Sequence, residues 1–218
     1  MTPTSVTRRI YLLVAGMEKA WHRGRRRRDC ARAAAKAERP FKLHVGCGSI
    51  RLEGWINTDF TETPGVVDFA WDATEHFPFE DGSCGLIYNE HFLEHLPVDQ
   101  GLLFLKQCHR LLRPGGILRI AMPSLEAVVH KYCSEEWKDQ AWLKLPAFRH
   151  IATRCEMLNA SMRWWDHQWV YDREELRRRL QEAGFFNIRE CRVGESEEES
   201  LRNLETRPDS LLICEAIR

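Results

Sequence analysis

The segment LHVGCGS, residues 43–49, runs an apolar stretch into a glycine turn. Glycines at 46 and 48 permit positive φ and let backbone N–H groups approach a ligand closely at the carboxyl end of a strand. A third glycine at 51 would complete a dinucleotide fingerprint, but Arg51 stands there, which disfavours nicotinamide chemistry. Thirteen residues after Gly46 comes Asp59, in GWINTDF, and thirteen further comes Asp72, in WDATEHFPFEDGS. A carboxylate at 59 suits both hydroxyls of a ribose. One at 72 suits the exocyclic amine of adenine, with the Ala73 N–H facing the ring. Three strand ends in order, each with a fitting group, argue together for an adenosine-bearing ligand.

The histidines form a second set. YNEHFLEHL, residues 88–96, places His91, Glu94 and His95 at the H-x-x-E-H spacing of a zinc protease. The segment follows a strand in an alternating α/β pattern, so no metal site is assigned, and His95 reads as a packing residue. His167 stands beside Asp166 among Trp164, Trp165, Trp169 and Tyr171. A histidine next to a carboxylate can hold the tautomer that removes a proton from a hydroxyl.

These groups need elements to position them. Leu43–Gly46, Asp68–Trp71, Leu86–Asn89 and Ile117–Met122 read as short buried strands. Residues 99–112 carry leucines at helical spacing, stopped by Pro114-Gly115-Gly116. Alternation of this kind predicts a parallel sheet with helices on both faces. Residues 124–170 break the rhythm with helical tendency and five of the eight tryptophans, which predicts a cap at the sheet's carboxyl edge. Asp172 is a helix cap, Gly184 ends that helix, and 186–193 and 211–217 read as two strands. The acidic loop around Glu195–Glu199 between them reads as a solvated turn.

At this point the chain resembles the class I S-adenosylmethionine-dependent methyltransferases, and within them the type 11 methyltransferase-like family. The resemblance covers residues 40–125 through LHVGCGS, GWINTDF, DATEHFPFEDGS, YNEHFLEHL and LLRPGGILRIAMPS, and resumes at HQWVYDREELRRRLQEAGF. It implies a doubly wound, Rossmann-like α/β fold of seven strands whose last hairpin is antiparallel, with an inserted helical cap. It implies S-adenosylmethionine as cofactor, with Gly46, Cys47 and Gly48 at the methionine end. Asp59 would then take the ribose, Asp72 and Ala73 the adenine, and Asn89 a place near the sulfonium. His91, just beyond the fourth strand, would lie where the methyl group points, so His91 and His167 are the candidate bases. The chain departs from the family at Ile50, where a third turn glycine is usual, and at Cys84-Gly85, where an aromatic–aspartate pair is usual.

Charge divides the chain. The formal net charge is zero. Residues 1–42 nevertheless carry twelve Lys/Arg against three Asp/Glu. A basic helical arm over 1–40 is therefore expected ahead of a methyltransferase domain over 41–218, with the cap at 124–170. Residues 8–28 suit an anionic membrane surface or a protein partner. No C-x-x-C pair occurs, so the eight cysteines read as reduced thiols and the setting as cytoplasmic, peripheral to an inner membrane face. The expected reaction is O-methylation of a sugar, glycan precursor or other small metabolite. The competing readings are a nucleic-acid methyltransferase using the Arg25–Arg28 run and a methyltransferase-like module that binds without turnover.

Overall fold

A computed structural model describes residues 24–218. Helix α1 covers residues 24–36. The sheet then opens with β1 (Phe41–Val45), β2 (Ile56–Asp59), β3 (Phe69–Ala70) and β4 (Cys84–Glu90). Helix α2 (Val98–Leu111) leads into β5 (Leu112–Met122). The cap carries α3 (Leu125–Cys133) and α4 (Arg154–Arg163). Helix α5 (Arg173–Glu182), β6 (Asn187–Glu190) and β7 (Leu212–Ile217) complete the fold. The seven strands lie in the order β3-β2-β1-β4-β5-β7-β6. The pairs among β1 to β5 are parallel, whereas β7 runs antiparallel to both β5 and β6. This is the expected class I sheet with its antiparallel final hairpin.

The order reverses between β1 and β4, and ligands of open α/β sheets bind outside the carboxyl ends at such a switch. Every residue of β4 is buried, as a central strand requires. Its two faces meet different surroundings. Leu43, Ile87, Leu118 and Cys214 share one apolar cluster with residues of α1, α2 and α5, including Cys30, Phe104 and Leu176. Leu86, Tyr88, Ala121 and Ile213 belong to a second cluster, closed by Trp55, Leu201 and the partly buried Leu52 and Leu204. No α-helix contributes to that second cluster among the described residues; Leu201 comes from a single 3-10 turn, Glu199–Leu201. Helices were expected on both faces, but the connection 46–55 is a succession of turns and bends, too irregular for a crossover helix.

Three other expectations change in detail. Pro114-Gly115-Gly116 lies inside β5, because α2 already ends at Leu111. The pairing jumps from Cys84↔Leu112 to Leu86↔Ile117, so the Pro-Gly-Gly residues form a bulge. A Cβ on Gly116 would sit 2.9 Å from the Arg113 carbonyl oxygen and 3.0 Å from that of Gly85. The departure at Cys84-Gly85 is thus a packing matter at this bulge. The basic arm, expected as an appendage, is docked in its described part: Cys30 is buried, and Ala33, Ala34 and Ala37 pack on the same core at helical spacing. Residues 1–23, including most of the proposed docking segment, lie outside the described residues. The acidic loop is exposed at Glu195, Glu197 and Glu199, as a solvated turn should be, but from Leu201 onward it is anchored.

The cap has its own core of Trp142, Phe148, Ile151, Met157 and Ala160, with Trp137 and Trp165 packed against it. Thr153 and Glu156 form a reciprocal capping box that starts α4. Asp172 caps α5 by accepting from the Glu175 N–H at 2.8 Å. Most of the cap tryptophans are therefore core, while Trp164 and Trp169 remain exposed.

Candidate active site

The carboxyl ends of β1, β2 and β3 bring Gly46, Cys47, Gly48, Asp59, Asp72 and Ala73 to one edge, as the spacing required. Asp59 Oδ2 accepts from the Gly48 N–H at 2.8 Å, and Oδ1 from the Thr61 N–H at 3.1 Å. That locks the carboxylate against the glycine turn and leaves lone pairs for a diol. Asp72 Oδ1 accepts from the Thr74 N–H at 2.9 Å and its hydroxyl at 2.6 Å, leaving Oδ2 without a described donor. Ala73 is buried beside it.

The glycine turn works differently from the sequence argument. Gly46 N–H and Cys47 N–H both donate to the Thr58 carbonyl, at 2.9 and 3.2 Å. With the Gly48 N–H spent on Asp59, none of the three donors is free for a ligand. Gly46 (φ +68) is required by a neighbour: its Cβ would fall 2.4 Å from Phe92 Cδ2. The turn's contribution is therefore shape and the placing of Asp59. Burial pushes the Cys47 thiol up to about 12, which excludes it as a nucleophile near neutrality.

At the end of β4, Asn89 is fully buried and neither its amide oxygen nor its nitrogen has a partner. Buried amides are normally satisfied, so this one is poised for a ligand with both a donor and an acceptor. Next to it the chain leaves the sheet through His91, a non-glycine residue at φ 49. Backbone strain of this kind clusters at functional sites. His91 Nδ1 lies 3.5 Å from Glu94 Oε1, and Nε2 lies 3.7 Å from Asp209 Oδ1. Burial, opposed by the Asp209 carboxylate, lowers the His91 pKa to about 4, so the ring is neutral at pH 7.

Residues 93–95 form one turn of 3-10 helix with His91 outside it, so the protease-like arrangement on one helix face does not form. His95 instead faces His167 from the cap, with ring centroids 5.0 Å apart. His167 Nδ1 lies 3.0 Å from the Ser161 carbonyl. That contact fixes Nδ1 as the protonated nitrogen and leaves Nε2 as an acceptor. Burial lowers the pKa of both rings. A groove beside His167 is lined by Met162, Arg163, Gln168, Trp169 and Val170. The Asp166 carboxylate, expected to orient His167, is replaced in that role by a backbone carbonyl.

Sequence reasoning missed Asp209 and Arg207, which the loop before β7 brings to this edge. Glu90 holds that loop: it accepts from Thr206 N–H and hydroxyl, Arg207 N–H and the Ser210 hydroxyl at 2.6–3.1 Å. Nothing in the polar run ETRPDS announces such an anchor.

Residues 23–190 match the methyltransferase domain family. The chain belongs to that family. A methyltransferase structure that agrees in fold is the S-adenosylmethionine-dependent enzyme from Archaeoglobus fulgidus, with 16% identity, a TM-score of 0.50, and coverage of 94% of this chain and 99% of that one. An S-adenosylmethionine-dependent methyltransferase from Thermotoga maritima shows 14% identity and a TM-score of 0.49 over 93% of this chain and 95% of that one. PigF with SAH shows 15% identity and a TM-score of 0.48 over 83% of this chain, which spans only about half (51%) of PigF. No curated protein matches the chain. As a methyltransferase the protein takes S-adenosylmethionine as methyl donor, and the residues present fit it. Asp59 offers a diol acceptor, Asp72 a free oxygen for an amine, and Asn89 an unsatisfied amide at the switch point.

Proposed function

We propose that this methyltransferase methylates a hydroxyl of a sugar, a glycan precursor or another small polar metabolite. The observation that carries this reading is the groove at His167. It combines the exposed Trp169 indole with Gln168, Arg163 and a histidine acceptor. A sugar offers an apolar C–H face to an indole and hydroxyls to the polar groups around it. When bound, S-adenosylmethionine supplies a methyl group that is already activated. The protein's own part is to hold the acceptor oxygen in line, exclude water and receive the hydroxyl proton. His91 and His167 are the proposed proton acceptors: burial lowers the pKa of both, His91 Nε2 is buried without a hydrogen-bonding partner, and the Ser161 carbonyl at His167 Nδ1 leaves Nε2 as the acceptor. Incubation with deuteromethyl-labelled donor and a panel of sugar nucleotides and phenols, read by mass spectrometry, tests this. Label on an oxygen supports the reading, and label confined to nitrogen or to RNA overturns it.

We further propose that the basic arm brings the domain to an anionic surface. Arg25 is paired with Glu62 at 2.8 Å, but Arg27 and Arg28 are exposed without an acidic partner among the described residues. No helix among the described residues is long and apolar enough to cross a membrane. Binding to anionic vesicles that fades at high salt supports the docking role. Salt-steep binding to RNA instead would overturn it.

A further inference from the structure

Among the described residues, Glu94 is a buried acid with neither oxygen satisfied. The residue is only 2% exposed, and no donor reaches its carboxylate. An isolated buried carboxylate is costly and calls for a compensating charge. Around it stand nitrogen ligands. One donor atom each from Glu94, His95 and His167 lies within 4.8 Å of the other two. Glu94 and His95 come from the turn after β4, whereas His167 comes from the far end of the cap. The fold brings them together across more than seventy residues of sequence.

We infer that Glu94, His95 and His167 form a binding site for a divalent transition ion of the zinc class. The donor set decides the class: two imidazoles and one carboxylate suit Zn²⁺, Co²⁺ or Mn²⁺, whereas Mg²⁺ and Ca²⁺ prefer all-oxygen shells. Bonds of ~2.0–2.2 Å to one ion would require the three donors to draw in from their present spacing of up to 4.8 Å. The supporting contacts are in place. A metal-bound histidine usually donates its other ring N–H to a carbonyl or carboxylate, and His167 Nδ1 does so to Ser161. His91 stands between Glu94 and Asp209, with ring nitrogens 3.5 and 3.7 Å from their carboxylate oxygens.

Three protein ligands leave a coordination position open. Glu94 and His167 also line a small cavity with Ser124, Ser161 and Tyr171 that has room for about one water, so a water can fill the open position. A water bound there would have its pKa lowered by the ion, and with His167 engaged His91 would be left as the proton acceptor. The site itself does not depend on what the acceptor is.

The test uses the full chain, stripped with a chelator and titrated with Zn²⁺ by calorimetry and with Co²⁺ by visible absorption. The expected result is one ion per chain, with the intense visible bands of low-coordinate Co²⁺. Glu94→Gln and His167→Ala should each weaken binding by at least about tenfold. His130→Ala, at an exposed histidine on α3, should leave binding unchanged. Thermal melts report whether each variant is folded, and Glu94→Gln keeps the side-chain shape. Folded wild type that binds neither ion overturns the site, as does binding unaffected by both ligand substitutions. Binding of Mg²⁺ in preference to Co²⁺ overturns the assigned class.

Discussion

The two faces of the sheet are held closed by different physics. One is covered by α1, α2 and α5 through apolar residues such as Cys30, Phe104, Leu105 and Leu176. The other carries a polar network under loops. Arg119, fully buried, donates to Glu205 at 2.7 Å and to Glu215 at 2.8 Å. Farther along that face, His44 Nδ1 lies 3.1 Å from Asn57 Oδ1, and Glu90 clamps the 206–210 loop. The apolar face supplies stability without direction. The polar face fixes one position of one loop, and that loop delivers Asp209 to His91. Its groups are specific where the helical face is merely well packed.

The largest effect should come from breaking the polar face. Arg119→Met leaves Glu205 buried without a counter-charge and Glu215 with Arg189 alone at 3.2 Å, and should cost about 3–5 kcal/mol in urea unfolding. If it costs less than about 1 kcal/mol, the network is not what holds that face. The next effect concerns chemistry. His91→Ala should lower methyl transfer about 100-fold while leaving donor affinity nearly unchanged. A parallel loss of donor affinity would mean that His91 only shapes the site.

Glu90 sharpens the comparison through pH. Burial raises its pKa, but the hydrogen bonds from Thr206, Ser210 and Arg207 win, and the folded value is lowered. A lowered carboxylate contributes stability above its unfolded pKa of about 4.3, and that contribution is lost as pH falls through the folded value. Glu90→Gln should therefore cost about 1–3 kcal/mol at pH 7. The gap to wild type should close in acid, read from melting temperatures across pH. A gap that is constant with pH would assign the cost to shape alone. The smallest effect belongs to the apolar face: Cys30→Ala should cost about 1 kcal/mol and shift neither donor affinity nor turnover. Truncation to residue 39 should destabilise for the same reason, since it removes Cys30, Ala33, Ala34 and Ala37 from the core.

The same contrast explains what could be read from the sequence. Apolar periodicity revealed the strands and α2, and cap residues fixed α5 at Asp172 and Gly184. The glycine turn, Asp59 and Asp72 were legible because regular spacing along parallel strands puts them at one edge. The polar face was illegible. Nothing in the sequence marks Arg119, Glu205 or Asp209 as partners, because charge gives no period. The Pro-Gly-Gly bulge was read as a helix stop, since composition does not tell a bulge from a break. Glu94 and His95 were visible as a spacing, but their partner His167 lies in a different segment. Only the packing of the cap on the sheet edge brings the three together.

Calorimetry with S-adenosylhomocysteine tests most directly whether the methyl donor is held at the β1–β3 edge. Wild type should bind one equivalent with micromolar affinity. Asp59→Ala should weaken binding by about 1–3 kcal/mol, because a ribose diol loses a charged acceptor held in place by the Gly48 N–H. Folded wild type that shows no binding at millimolar ligand, or an Asp59→Ala variant that binds as tightly as wild type, would contradict it.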